Sequence, residues 1–527
     1  ALAQSYESQG RLTEALQINS DAATLAKSLK LGQAEALFVK LDWRAGRLNE
    51  RLGDDSLALA GYMHAARHLE AIRQDLPIED AAGQSTYQSL LKPIYLNLLD
   101  LMLRNFDGLA ADEQPARLAS VLDAIELTHQ AEMQDYLGDR CSVESIPGGA
   151  GAAPQAGVAV IYTLVLSDRL EVIVRTGNGL LHHAAPVPAA KLTAEIVTFR
   201  QQLLDTSSKA YLATARELYG WLIEPFEAEL AKSGVRELVV VPDSYLRLIP
   251  FAALHDGREF VAQRFVLSSV TGLTMTATSA RSQAKAVTLL AGLSEPGPVV
   301  DKLLSMGFTG EPAADRSMRA AVVPAPESGS MPPGTLAANE LALRSELMLP
   351  AVETEIRQLR PYGKSLSLLN SEFTVARFQS EVRTGRYSVI HVATHGFFGD
   401  SARDSFLLAF DNIIHMDDLQ NLISDNGTQN GAIELLTLSA CDTATGDERA
   451  PLGFAGAAIR ARARSVVGTL WAVSDAAAEQ FMTTFYAALA LQGKADALTH
   501  AQRALIQSSQ FSHPYYWAPM VLIGDWN

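Results

Sequence analysis

Two apolar runs, each ending in a reactive side chain, constrain this chain more than any other feature. They are Ser388-Val389-Ile390-His391-Val392-Ala393-Thr394-His395-Gly396 and Leu435-Leu436-Thr437-Leu438-Ser439-Ala440-Cys441. A nearly unbroken apolar run of this kind is the pattern of a strand buried on both faces, as in a parallel sheet covered by helices. Sites in open parallel sheets form beyond the carboxyl ends of the strands, so the pattern predicts His395 and Cys441 on one rim. A thiolate attacks carbonyl carbon well, and an imidazole beside it takes the thiol proton and returns it to the leaving group. Gly396 lacks a Cβ, so its backbone can approach a substrate closely, and its N–H with that of Cys441 makes an expected pair of oxyanion donors. A lone cysteine is more often an inert buried thiol. Here the loop-forming run Asp442-Thr443-Ala444-Thr445-Gly446 follows it directly, which favours the catalytic reading.

The chain has 527 residues, of which 48% are hydrophobic and 19% charged, enough for several cores at roughly 100–200 residues per domain. No uncharged apolar run approaches the roughly 20 residues that cross a bilayer, so no membrane association is expected. The net charge of −16 opposes the phosphate neutralisation that nucleic-acid binding depends on, and no Lys/Arg block offsets it. Direct nucleic-acid binding is therefore not expected. Cys141 and Cys441 are the only cysteines, too few for a disulfide framework or a thiolate zinc site. A free thiol suits a reducing compartment, and the expected location is the cytoplasm. The chain starts at Ala1 inside a helical pattern, which reads as a trimmed N-terminus and leaves open a signal segment ahead of it.

The first seventy residues repeat. Gly10, Ala15 and Ala22 recur as Gly53, Ala58 and Ala65, each 43 positions on, with Leu12, Leu16, Leu25 and Leu29 near helical spacing between them. Small residues in register let paired helices approach, so residues 1–140 are expected to be a helical solenoid, with a third hairpin over Ser85–Leu103. Stacked helix pairs commonly form a surface for a partner protein, although they also serve as a buttress. From Gly148 to Gly157 the chain is almost all Gly, Ala and Pro and marks a boundary.

Beyond it, strands are expected at Val158–Leu166, Leu170–Arg175 and Glu237–Val241, with helices at Ala190–Leu204 and Ala210–Lys232, an α/β pattern. Residues 311–334 hold five prolines and little periodicity, so they read as a mobile linker between halves 158–310 and 335–527. The second half continues with a helix at Gly453–Ala463, a strand at Ser465–Val473, helices at Ala476–Leu491 and Asp496–Ser508, and a last strand at Met520–Gly524, giving a doubly wound sheet.

Other chemical residues carry less. His391 lies mid-strand among apolar neighbours and reads as a satisfied core histidine. His415, His500 and His513 read as surface residues. No His-Glu-x-x-His motif or paired cysteines support a metal, and no Gly-x-Ser-x-Gly elbow or phosphate-binding loop is present. No metal and no cofactor are expected. The run Gly453-Phe454-Ala455-Gly456 lacks the complete dinucleotide fingerprint and reads as close helix packing. Asp475 follows the strand ending near Val473. Its two readings are a substrate-pocket carboxylate that favours a basic side chain and a helix N-cap shared with Ser474.

These residues resemble the CHAT domain, a caspase-like peptidase family commonly fused behind tetratricopeptide repeats. The likeness spans Val158 to Asn527 and rests on Val389 to Phe398, Leu438 to Gly446, the segment Val239-Val240-Val241-Pro242-Asp243-Ser244-Tyr245-Leu246-Arg247-Leu248-Ile249-Pro250-Phe251, and the ending His513 to Trp526. Histidine first and cysteine 46 positions later also matches the order in caspases, where the separation is about 50 residues. The resemblance implies a caspase-like α/β sandwich with a degenerate first half, lacking its own Cys or His-Gly pair, and a catalytic second half. It implies a cysteine endopeptidase with His395 and Cys441 as its dyad. Gly468 to Asp475 resembles the matching stretch of separase, a related peptidase that prefers Arg at P1, which supports Asp475 as a substrate-binding residue. Pro519 departs from the expected small or aromatic residue but touches only the last strand. The family further implies a protein or peptide substrate, a regulatory protein partner at the repeats, and a prokaryotic signalling or defence role. Two rival readings stand: a non-catalytic scaffold with a caspase-like platform, and a thiol acyltransferase or amidase using the same pair.

Overall fold

The repeated small residues at the front of the chain fall on helical hairpins. A computed structural model describes residues 2–28, 34–80, 83–104, 106–140, 143, 153–278, 286–308, 335–398, 401–416, 418, 433–442, 449, 451–461 and 463–527. It divides into two compact units, residues 1–151 and 152–527.

In the first unit, helices Leu2–Ser8 and Leu12–Ser28 form one pair and Ala34–Leu52 and Asp55–Ile72 a second. Gly10 and Gly53 sit at the turns between the paired helices with φ of +73° and +83°, a left-handed conformation that favours glycine. No atom lies within 4 Å of a Cβ built on either, so the turn, and not close approach, requires them. Close approach belongs instead to Gly46 and Gly61. A Cβ on Gly61 would lie 2.7 Å from the Gly46 nitrogen, and one on Gly46 would lie 2.4 Å from the Tyr62 ring. Ala15, Ala58 and Ala65 are fully buried, as the repeat predicts.

The hairpin expected over Ser85–Leu103 does not form. Residues Tyr87–Leu91 make a π-helical turn that runs straight into helix Lys92–Leu103, and the helix that follows is Gln114–Leu137. The physical reason is local: no glycine or proline interrupts residues 85–92, and Pro93 occupies the first turn of the helix, where its missing N–H costs nothing.

The second unit holds 13 described strands: β1 Val158–Val165, β2 Leu170–Thr176, β3 Gly179–Ala185, β4 Glu237–Val241, β5 Val266–Ser269, β6 Val287–Gly292, β7 Lys364–Leu369, β8 Val389–Phe397, β9 Phe406–Leu408, β10 Ile413–His415, β11 Leu435–Asp442, β12 Ser465–Thr469 and β13 Met520–Gly524. One group of parallel strands runs β7-β6-β8-β11-β12, and another runs β5-β4-β1, extended by the antiparallel strands β2 and β3. The last strand joins them, since β13 pairs antiparallel with β12 and parallel with β5. The apolar runs of β4, β8 and β11 are buried along most of their length, while β3 at the edge is largely half-exposed.

Strand β6 precedes the proline-rich stretch yet hydrogen-bonds to β7 and β8. The pairing thus draws residues 287–292 of the expected first half into the second group of strands. Residues 311–334 lie outside the described residues. Two smaller differences also have local causes. The helix expected over Ala210–Lys232 breaks into Tyr211–Leu222 and Glu227–Lys232 at Pro225. Strand β12 stops at Thr469 because its antiparallel partner begins there, at Met520. Among the described residues, no helix is long and apolar enough to cross a membrane.

Substituting Gly61→Ala forces a methyl group against the Gly46 backbone. A loss of about 1–3 kcal/mol is expected, exceeding the helix-propensity gain of about 1 kcal/mol. Thermal unfolding checks this, and an unchanged or raised midpoint would contradict the close crossing.

Candidate active site

Strands β8 and β11 lie side by side and parallel, with Leu435 opposite Val389 and each following residue in step as far as Ser439 opposite Ala393. There the register shifts, and Cys441 pairs with Gly396 and Asp442 with Phe397. Three steps along β8 match two along β11, so β8 carries one extra residue in the Thr394-His395 segment. A bulge of this kind turns the side chains it holds away from the regular alternation. Backbones of paired strands stand about 4.8 Å apart, so the main chain at Cys441 lies beside the residue that follows His395. The side chains of Cys441 and Asp475 lie outside the described residues.

His395 is half-buried as a residue, but its Nε2 is sealed from solvent and finds no hydrogen-bond partner among the described residues. The backbone of Leu347, just beyond helix Thr335–Glu346, lies near enough to the ring to favour its protonated form. Burial lowers its pKa from 6.5 to about 4, partly offset by the Leu347 backbone. The imidazole is therefore neutral at pH 7, the form able to accept a thiol proton.

Gly396 is paired on both edges, with Cys441 of β11 and with Leu407 of β9. Both expected oxyanion donors thus sit on paired strand residues. Ser474 occupies the N-cap position of helix Asp475–Leu489, but its side chain makes no capping hydrogen bond. Asp475 is the first residue of that helix, where a carboxylate complements the helix dipole.

His391 is fully buried, as expected of a core histidine, but it belongs to a polar network. Its Nδ1 lies 3.2 Å from the Tyr486 hydroxyl, which donates to Thr437 Oγ1 at 3.0 Å. Its Nε2 is 3.0 Å from Glu355 Oε1, out of line for a hydrogen bond. Burial holds the Tyr486 hydroxyl well above its ordinary pKa range, so it stays protonated. His415 and His500 are exposed as expected. His513 differs: it is half-buried, caps helix Pro514–Trp517 by accepting from Tyr515 N–H, and reaches the Ser208 carbonyl with Nε2. Gly453 fits its packing role, since a Cβ there would lie 2.4 Å from the Phe398 ring.

An open cleft lies along the carboxyl edge of the sheet. Its walls include Leu246 and Phe251 after β4, Val270 after β5, Leu470 after β12, and Leu452. The first half of the unit therefore contributes a wall of this cleft as well as structural support. Sequence reasoning missed the cleft, the bulge and the Leu347 contact. A backbone neighbour leaves no residue signature, and a cleft wall drawn from five separate segments leaves no local one.

The CHAT domain matches residues 212–525, more than half of the chain. The chain belongs to the CHAT-domain family. Its α/β unit has the caspase-like fold of that family, which is related to cysteine peptidases. Among solved structures, the CHAT chain is similar to separase in the Saccharomyces cerevisiae separase–securin complex, with 9% identity, a TM-score of 0.49, and coverage of 90% of this chain and 37% of that one. It is also similar to the Arg-specific cysteine proteinase gingipain R, RgpB of Porphyromonas gingivalis, with 9% identity, a TM-score of 0.35, and coverage of 64% of this chain and 74% of that one. The chain thus spans little more than a third of the separase chain it matches. No curated protein sequence matches it.

A histidine with a folded pKa of about 4 against 6.5 unfolded is protonated first in the unfolded chain as pH falls. Its contribution to stability is present above pH 6.5 and is lost between 6.5 and 4. His395→Gln should flatten the fall of unfolding free energy in that window. An equally steep fall in the variant would contradict a sealed neutral imidazole.

Proposed function

We propose that this CHAT protein is a cysteine endopeptidase in which Cys441 attacks the scissile carbonyl and His395 serves as base and then acid. The observation that carries the reading is the bulged β8/β11 register, which brings the backbone of Cys441 beside the residue that follows His395. An imidazole kept neutral by burial supports it. In the reaction, the thiol proton passes to His395 as the sulfur–carbon bond forms, and the amine leaves with that proton. Water then hydrolyses the thioester, with His395 again taking a proton. The oxyanion is stabilised by backbone N–H groups at the end of the ladder, Gly396 and Cys441 being the proposed pair, which requires the paired end to open toward substrate. The cleft on the same edge is the proposed bed for the substrate chain. Asp475 is the proposed selector of a basic P1 residue.

Partner control by the helical unit is part of this proposal. Leu25, Leu57 and Met63 are 58%, 55% and 47% exposed there and are the proposed contacts for that partner. A prokaryotic signalling or defence pathway is the proposed setting.

A peptidyl electrophile with Arg at P1 should label the wild type, lose all labelling in Cys441→Ala, and lose about 100-fold or more of its rate in His395→Ala. Mapping of new protein N-termini in a treated lysate should show cleavage after basic residues, with that preference weakened in Asp475→Asn. Equal labelling of wild type and Cys441→Ala would leave the scaffold reading, and labelling without new N-termini would leave the acyltransferase or amidase reading. Replacing Leu25 and Leu57 by Asp should abolish partner-dependent control of cleavage. Control that survives unchanged would remove the gating role from these helices.

A further inference from the structure

We propose that the Tyr486 hydroxyl is a positioning group that locks β8 against β11 in the one register bringing His395 and Cys441 together. This inference rests on the dyad proposed above. Thr437 and His391 are direct cross-strand partners, and Tyr486, from helix Asp475–Leu489, reaches both, at 3.0 Å and 3.2 Å. His391 and Thr437 are 0% exposed and Tyr486 is 5% exposed, so no water substitutes for these bonds. Four residues further along each strand stand His395 and Cys441.

The need for such a lock follows from the strands themselves. A strand with one polar face has its register specified, because a one-residue slip would move its apolar set into water. Strands β8 and β11 are buried on both faces from Val389 to Ala393 and from Leu435 to Ser439, so a slip moves no apolar set into water and slipped pairings differ little in hydrophobic burial. A slip would, however, strand the Thr437 hydroxyl and the His391 ring nitrogen without their bonds in a dry interior. A single buried polar contact specifies register in the same way within apolar helix pairs. One residue of slip along a strand is about 3.3 Å, far more than the roughly 1 Å misplacement that costs about 100-fold in rate. The clamp is itself anchored: Gln358 of helix Pro350–Leu359, which carries Glu355, bonds to Glu479 and Thr483 on the Tyr486 helix.

The test is alkylation of the intact protein by iodoacetamide at pH 7, followed peptide by peptide, with Cys141 as the internal reference. Tyr486→Phe and Thr437→Val, which remove one hydroxyl each with little change of shape, should slow alkylation of Cys441 by about tenfold or more, because a displaced imidazole no longer takes up the thiol proton as the sulfur attacks. Thr437→Ser should restore the rate, and the Tyr486→Phe/Thr437→Val double variant should be no slower than either single one, since both break one clamp. With a cleavable peptide, the same variants should lower kcat and leave KM unchanged. General loosening of the fold would instead expose the thiol and speed its alkylation. Folded variants that alkylate at the wild-type rate, while His395→Ala is slow, would overturn the clamp alone. A His395→Ala variant that alkylates as fast as the wild type would overturn the dyad, and the clamp with it.

Discussion

Everything proposed for this molecule depends on how two parallel strands are registered. β8 and β11 run in step from Val389 and Leu435 to Ala393 and Ser439, and then one extra residue in β8 sets Gly396 against Cys441. That bulge takes His395 out of the regular alternation at the rim of the sheet, where an open parallel sheet leaves space for a ligand. The remaining features bear on this point from different directions. The backbone of Leu347 lies beside the imidazole, Phe398 packs under Gly453 just beyond it, and the His391–Tyr486–Thr437 network lies below.

The two groups of strands are bound into one sheet by the last strand of the chain. β13 pairs with β12 on one side and with β5 on the other, so the C-terminal residues are the seam between the halves. The cleft opens along this seam and draws walls from both groups. The first half has no cysteine of its own, yet its segment from Pro242 to Phe251 helps to shape the surface beside the rim. That gives a physical reason for the fold to retain both halves: the second group of strands alone would leave the cleft without one wall.

Much of this was legible in the residues. Apolar runs without alternation identified the buried strands, and Met520–Gly524 forms the strand the pattern indicates. The family likeness over the α/β unit is matched by the CHAT domain over residues 212–525. The 43-residue repeat located the two helical hairpins, although the glycines serve the turns while Gly46 and Gly61 make the close crossing. What escaped is non-local. The place of β6 beside β8 depends on long-range pairing, and a partner chosen 101 residues away, as Val389 is from Thr288, leaves no pattern in the strand itself. The bulge could not be read because pattern assigns residues to strands without assigning register. His391 read as a core histidine from its neighbours, but its partners Tyr486 and Glu355 come from helices far away in the sequence.

The most direct measurement is a crystal structure of the protein inactivated by a peptidyl electrophile, from which the distance between Cys441 Sγ and the free ring nitrogen of His395 is read. The electrophile is expected on Cys441, with the histidine beside it and a separation of about 3–4 Å, within reach of proton transfer. Side chains of Cys441 and His395 on opposite faces of the sheet, or a probe bound to some other residue, would contradict it.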